Sequence, residues 1–152
     1  MAAVAGPIER EGAMSDHEAE ALARLGTKFF THASAPLNLG TLEQADGSGR
    51  LIGQCGDAIR VDIGVNGDVI DQIRVLPEGC VFTRACASAL SSLVQGRTLE
   101  EALEIEPEDV RDVLGELPED HMHCARLAVN TLGEAVAEAM RRTNIRPEEN
   151  HV

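Results

Sequence analysis

The chain has no tryptophan, no tyrosine and only three phenylalanines, so aromatics make up 2% of its 152 residues. A core built without them must rest on Leu, Val, Ile and Ala, and 43% hydrophobic residues is a globular supply of these. No stretch approaches the roughly 18–20 consecutive apolar residues of a membrane span, so no membrane association is expected. Positive charge is scarce as well. Lys28 is the only lysine, and 13 Lys and Arg stand against 26 Asp and Glu, for a formal net charge of −13. With no Lys/Arg cluster to offset it, that balance argues against nucleic acid as a partner. The opening "MAAVAGPIEREGAMSDHEAE" has no basic leader and no apolar core, so it does not read as a secretory signal and a cytoplasmic location is expected. A zinc-finger C-x₂-C pair is also missing. Four cysteines in a reducing compartment point to metal, catalysis or burial before disulfides.

At this length one domain is the simplest organisation, placed at 16–142 between flexible tails at 1–15 and 143–152. Ser15 and Glu18 form an S-x-x-E capping box ahead of a helix through "HEAEALARLGTKFF", with Leu22, Leu25 and Phe29 on one face. Pro36 and Gly40 in "THASAPLNLG" break it. "TLEQADGSGRLIGQCGD" reads as a strand interrupted by a glycine-rich loop. In "DAIRVDIGVNGDVIDQIRVLPEGC", Ile59, Val61, Ile63 and Val65 alternate, and Val69, Ile73 and Val75 return. Asn66-Gly67 would supply a type I′ turn between them, giving an antiparallel hairpin.

Everything after Cys80 reads as helical. "TRACASALSSLVQG" stops at Gly96, Thr98 and Glu101 form a capping box, and Pro107 suits a first helical turn. The last helix keeps Leu127, Leu132, Val136 and Met140 at helical spacing, with Arg141 and Arg142 at its dipole-favoured end. Strands first and helices after imply an α+β fold: a small antiparallel sheet of about three strands with helices on one face.

Three cysteines fall at junctions. Cys55 stands at a strand start in "GQCGD", residues 53–57, Cys80 just before a helix, and Cys124 at the start of the last helix. A helix N-terminus stabilises a thiolate, which favours reactivity or metal binding at Cys80 and Cys124. In an extended chain Cys55 and Asp57 would point to the same side. The glycines in "QCGD" and "EGC" leave room for an inorganic group near the backbone. Cys86 lies about 240° around the helix from Cys80 and reads as a buried structural thiol. Spacing alone leaves three possibilities open: a shared metal site, a redox pair, or unrelated buried thiols.

The strings "GQCGD", "PEGC", "GRTLEEALEI", "LGELPE" and "MHC" follow one another here as in the NifU/IscU family of iron–sulfur cluster assembly scaffolds, which the chain resembles from about Phe30 to Arg141. "THASAPLNLG" is similar to that family's "DHYxNPRNxG" segment, with Ala33 at its tyrosine and Leu37 at its arginine. The resemblance implies a cluster site at one end of the molecule, formed by Cys55, Asp57, Cys80 and Cys124. There a transient 2Fe–2S cluster is built from iron and from sulfur delivered by a cysteine desulfurase, then passed to recipient apo-proteins. His123, next to Cys124, is an alternative fourth ligand or proton relay, where a solitary histidine would read as a solvated capping residue. His121 is the weaker candidate, read as exposed. Cys124, also read as exposed, is the preferred persulfide acceptor.

The match departs at "LPEDH", residues 117–121, where IscU-type scaffolds carry the "LPPVK" read by an Hsp70-type chaperone. Glu119 replaces the second proline and His121 the lysine, which argues against chaperone-assisted release and brings the segment closer to the NifU N-terminal module. The SufU branch has extra residues before its final cysteine and lacks the preceding histidine, and neither feature occurs here. The implied function is therefore a scaffold and carrier without independent catalytic turnover, as a monomer or dimer. The alternative is a zinc-dependent sulfur acceptor working with a desulfurase, using the same residues to hold Zn²⁺.

Overall fold

Ile59, Val61 and Ile63 are fully buried along one face of strand β2 (Ala58–Asn66), as their alternation requires. In this computed structural model, which describes residues 25–144 together with Asp16 and Ala19, β2 is the middle of a three-stranded antiparallel sheet. Strand β1 (Gly47–Ile52) sets Gly49 opposite Val61 on one side, and β3 (Val69–Glu78) sets Val75 opposite Val61 on the other. The hairpin turn is Gly67-Asp68, between paired Asn66 and Val69. Only Gly67 takes a positive φ, +71°, so the turn has the type II′ pattern and not the type I′ pattern expected at Asn66-Gly67. A bulge beside Gly64 and Val65 pairs Val65 with Ile70 and leaves Asp71 unmatched. It carries Ile70 into the core and leaves Val69 half-buried, the reverse of simple alternation.

Five helices lie within residues 25–144: α1 (Thr27–Ser34), α2 (Val81–Val94), α3 (Leu99–Ala102), α4 (Pro107–Leu114) and α5 (Met122–Asn144). A 3₁₀ turn, Glu119–His121, leads into α5. Helix α5 lies along β1 and β2 and α2 along β3, so the helices cover one face of the sheet and the fold is α+β. The opposite face is crossed by residues 38–46. The Val75 amide donates to the Asn38 carbonyl, Leu42 to the Asp62 carboxylate and Asp46 to the Ile63 carbonyl. Asp62 is fully buried, and the Leu42 amide and Arg60 Nε at 3.0 Å supply the partners a buried charge needs.

The glycines before Cys55 form a strand where a loop was expected, and α5 is the reason. A Cβ on Gly47 would run into the Ala135 carbonyl oxygen, and one on Gly49 would sit 2.8 Å from the Thr131 carbonyl oxygen. Gly47 and Gly49 pair with Ile63 and Val61, so bare backbone lets the helix settle on the apolar face. Small buried Ala128, Ala135 and Ala139 do the same from the helix side.

The expected N-terminal helix is not continuous through Phe30. Leu25 and Gly26 are non-helical, and α1 starts at Thr27 from an extended Gly26. It then runs to Ser34 and ends ahead of Pro36, one of the two expected breakers. Leu25 and Phe29 are buried. Asp16 and Ala19 are helical, while Ser15, Glu18, Leu22 and the tail at 1–15 lie outside the described residues. The Thr98–Glu101 box forms with both reciprocal bonds, and Pro107 opens α4 behind a second box, Glu106–Asp109. Helix α2 stops before Gly96, whose φ is +91°. Helix α5 keeps residues 143 and 144 helical, and residues 145–152 of the expected tail lie outside the described residues. No helix among the described residues is long and apolar enough to cross a membrane.

Candidate thiol and metal site

Helix α2 begins where β3 ends, and Cys80 is its N-cap residue. Three residues on, the fully buried Thr83 turns its hydroxyl back to the helix start. Thr83 Oγ1 donates to Asp57 Oδ2 at 2.6 Å and lies 3.4 Å from Cys124 Sγ and 3.7 Å from Cys80 Sγ. The Cys80 amide donates to the same Asp57 oxygen at 3.1 Å. Three segments distant in sequence thus meet at one hydroxyl: the β1–β2 loop, the start of α2 and the first turn of α5. Gly79 makes the approach possible, since a Cβ there would fall 2.7 Å from Asp57 Cβ. The space beside "EGC" is therefore filled by the Asp57 side chain, where room for an inorganic group was expected.

Cys80 is exposed and its thiol pKa is lowered to about 6. The chief cause is the neighbouring Cys124 thiol, which stabilises the Cys80 thiolate; partial burial opposes it, and the Thr83 amide and hydroxyl add to it. Cys124 shows the complement. It is buried with no exposed surface, and the adjoining Cys80 together with burial pushes its thiol up. The pair therefore favours thiolate at Cys80 and thiol at Cys124. At Asp57, partial burial is outweighed by the Thr83 and Cys80 hydrogen bonds, and the carboxyl titrates below its usual range. Cys86 is fully buried, as expected, and burial pushes its thiol up, with the Cys80 charge adding to the shift.

Three expectations change. Cys124 is not an exposed thiol, because the first turn of α5 is packed into the core. Nor is the chain extended at Cys55. The Gly53 amide bonds the Asp57 carbonyl and the Gly56 amide the Gly53 carbonyl, with Gly56 at φ +92°, so residues 53–57 form a tight turn. Same-side presentation does not apply there, and Cys55 sits exposed on the turn. His123 is half-buried, and its charge lowers the Asp57 pKa. His121 is also half-buried, not exposed, and one ligand atom each from His121, His123 and Cys124 lie within 4.8 Å of one another. His32 is structural: its Nδ1 is 2.7 Å from Ser88 Oγ. His17 and His151 lie outside the described residues.

Thr83 and Gly79 escaped the sequence reading. A threonine inside "TRACASALSS" carries no signal, although its place three residues after an N-cap is where a side chain can reach back. In the metal-free chain, alkylation of Cys80 should rise through about pH 6, when an ordinary thiol is still protonated. Thr83→Val removes one of the groups that lower the Cys80 and Asp57 pKa values, so the alkylation midpoint should move to higher pH. Mass-spectrometric mapping of iodoacetamide labelling against pH reads both, and an unmoved midpoint would remove Thr83 from this role.

Residues 26–146 match the family described as the NifU-like N terminal domain. The iron–sulfur cluster assembly scaffold protein IscU 1 of Archaeoglobus fulgidus is 36% identical over 116 residues, covering 76% of this chain and 76% of that protein. The scaffold protein IscU of Aquifex aeolicus is 36% identical over 114 residues, covering 73% of each. The crystal structure of a nitrogen-fixing NifU-like protein (N-terminal) from Brucella abortus superposes with a TM-score of 0.64 at 13% identity. That superposition covers 77% of this chain and 94% of the other, and it shows the shared fold.

Proposed function

Because the chain belongs to the NifU-like N-terminal domain family, we propose that it is a scaffold on which an iron–sulfur cluster is assembled and from which it is passed on. The observation that carries this is the convergence of Asp57, Cys80 and Cys124 on Thr83. The cargo is a transient 2Fe–2S unit, with Cys55, Asp57, Cys80 and Cys124 as its ligands and His123 as the alternative fourth. Both Asp57 hydrogen bonds fall on Oδ2, which leaves Oδ1 for iron. Cys55, exposed on its turn, would supply the remaining thiolate.

Sulfur comes from a cysteine desulfurase carrying a persulfide. A thiolate of this chain attacks the outer sulfur, a new S–S bond forms, and the desulfurase cysteine leaves as thiolate; two electrons from an external reductant then cleave that S–S bond and release the sulfur as sulfide. Cys80 is the best placed attacker, being exposed and ionised near neutral pH. Cys124 then takes its place as a ligand, since burial suits holding better than collision. Recipient apo-proteins accept the finished cluster, and the chain itself does not turn over as an enzyme.

The second reading, a zinc-dependent sulfur acceptor, rests on the same donor set. Three thiolates with a carboxylate or imidazole form a closed tetrahedral Zn²⁺ site. Anaerobic reconstitution with ferrous iron, cysteine and a desulfurase separates the two. Sulfide-to-iron absorption in the visible is the expected outcome. Tight zinc and a faster desulfurase with no chromophore would replace the scaffold by the sulfur acceptor.

A further inference from the structure

His121 closes the 3₁₀ turn before α5, at the position where the family resemblance has a lysine. Its ring stacks on Phe82, with centroids 3.7 Å apart and planes at 14°. Phe82 is 2% exposed and packs in turn on Phe29, so the imidazole is held against a fixed wall. Nδ1 of His121 is buried with no hydrogen-bond partner, the one such side-chain nitrogen or oxygen among the described residues. An unpaired buried polar atom of this kind has lost its hydration without a bond in return. A polar atom kept at that cost calls for a partner the protein atoms do not supply.

The geometry points to a divalent cation, held by His121, His123 and Cys124 as a second metal site that requires neither Cys55 nor Asp57. The ligand atoms of the three already lie within 4.8 Å of one another. Ligands at zinc distances and tetrahedral angles stand about 3.3–3.8 Å apart, so small side-chain rotations close the site. Two imidazoles and one thiolate suit a borderline ion such as Zn²⁺ or Fe²⁺, and the fourth position is left to water. The stack on Phe82 sets the plane of the His121 ring, and the 5.9 Å between the two imidazole centroids places them side by side on one approach. Because Cys124 belongs to both sets, as does His123 where it serves as the fourth ligand, an ion here withdraws them from any cargo held by Cys55, Asp57 and Cys80. Metal affinity of the full chain is the property at stake, and it stands whether or not the chain builds clusters.

Cobalt(II), which reports thiolate and imidazole ligands by its visible and near-ultraviolet bands, is the probe. The test uses the full chain, reduced and anaerobic, in a Cys55→Ser, Asp57→Ala, Cys80→Ser background, which removes every ligand of the other set except those the two sites share. One equivalent should still bind, with a thiolate-to-cobalt band. Adding His121→Phe, which keeps the ring stack but removes both nitrogens, should weaken binding at least tenfold, roughly 1.4 kcal/mol. His121→Leu should do the same, and circular dichroism of both variants checks that the helices persist. Unchanged cobalt affinity in folded His121→Phe, or no cobalt binding in the background chain, would overturn the site.

Discussion

Asp57→Ala should keep an assembled cluster about tenfold longer than the native chain, a change of ~1.4 kcal/mol in the hold on the cargo. Carboxylate is a hard ligand, and iron–sulfide units prefer soft thiolates. Asp57 is also bound on its own side by the Thr83 hydroxyl and the Cys80 amide, so part of its charge is already spent on the protein. On the proposed scaffold reading, both effects make it the ligand that lets go. Without it, His123 is the alternative fourth ligand on the proposed reading, beside Cys124 in sequence and with its charge already acting on Asp57. Asp57→Cys should retain the cluster longest, because four thiolates are the ligand set of clusters that stay in place. The same Asp57 oxygen caps the start of α2, so Asp57→Ala should also cost about 1 kcal/mol of stability, as the loss of a cap does. Chelator challenge and transfer kinetics measure the first effect, and thermal unfolding the second. Native transfer rates in both variants would remove Asp57 from the release step.

Gly47→Ala should be the more damaging change to the fold. The added methyl meets the backbone oxygen of Ala135, and backbone cannot rotate away as a side chain can. Either β1 or α5 must move, and overpacking of that kind costs about 1–3 kcal/mol or more. Gly49→Ala meets the Thr131 carbonyl oxygen and the Glu134 Cβ, both at 2.8 Å and neither moved by a side-chain rotation, so it should also destabilise, by less than Gly47→Ala because the overlap is shallower. Because α5 also carries Cys124, the loss should reach the site: displacing the helix separates Cys124 from Thr83, and the Cys80 thiol pKa should rise. Urea unfolding with the Cys80 alkylation profile reads both on one sample. Native stability in Gly47→Ala would show that α5 does not rest on the β1 backbone.

Ile59, Val61 and Ile63 announced β2 because a half-buried strand must alternate, and the Thr98 and Pro107 starts were legible because caps are local. What stayed hidden depends on partners far along the chain. The glycines at 47 and 49 are loop residues by composition and strand residues by virtue of α5, some ninety residues away. Ile70 replaces Val69 in the core through a bulge that no hydrophobic pattern records. At the site, the types at 55, 57, 80 and 124 were legible as ligand chemistry. That Cys124 is buried and Cys80 exposed followed only from how α5 seats against α2. Thr83 and Gly79 were invisible for the same reason, since each matters through Asp57, which arrives from the β1–β2 loop.

One measurement bears most directly on the scaffold assignment. Cluster reconstituted on the chain is mixed with an excess of apo-ferredoxin, the two proteins are separated at intervals, and iron and sulfide are counted on each. A scaffold passes both elements together, in equal proportion and within minutes, and Asp57→Cys slows that passage. Iron and sulfide that stay with the chain, or that reach the ferredoxin only by way of free solution and are intercepted by a chelator, would contradict it.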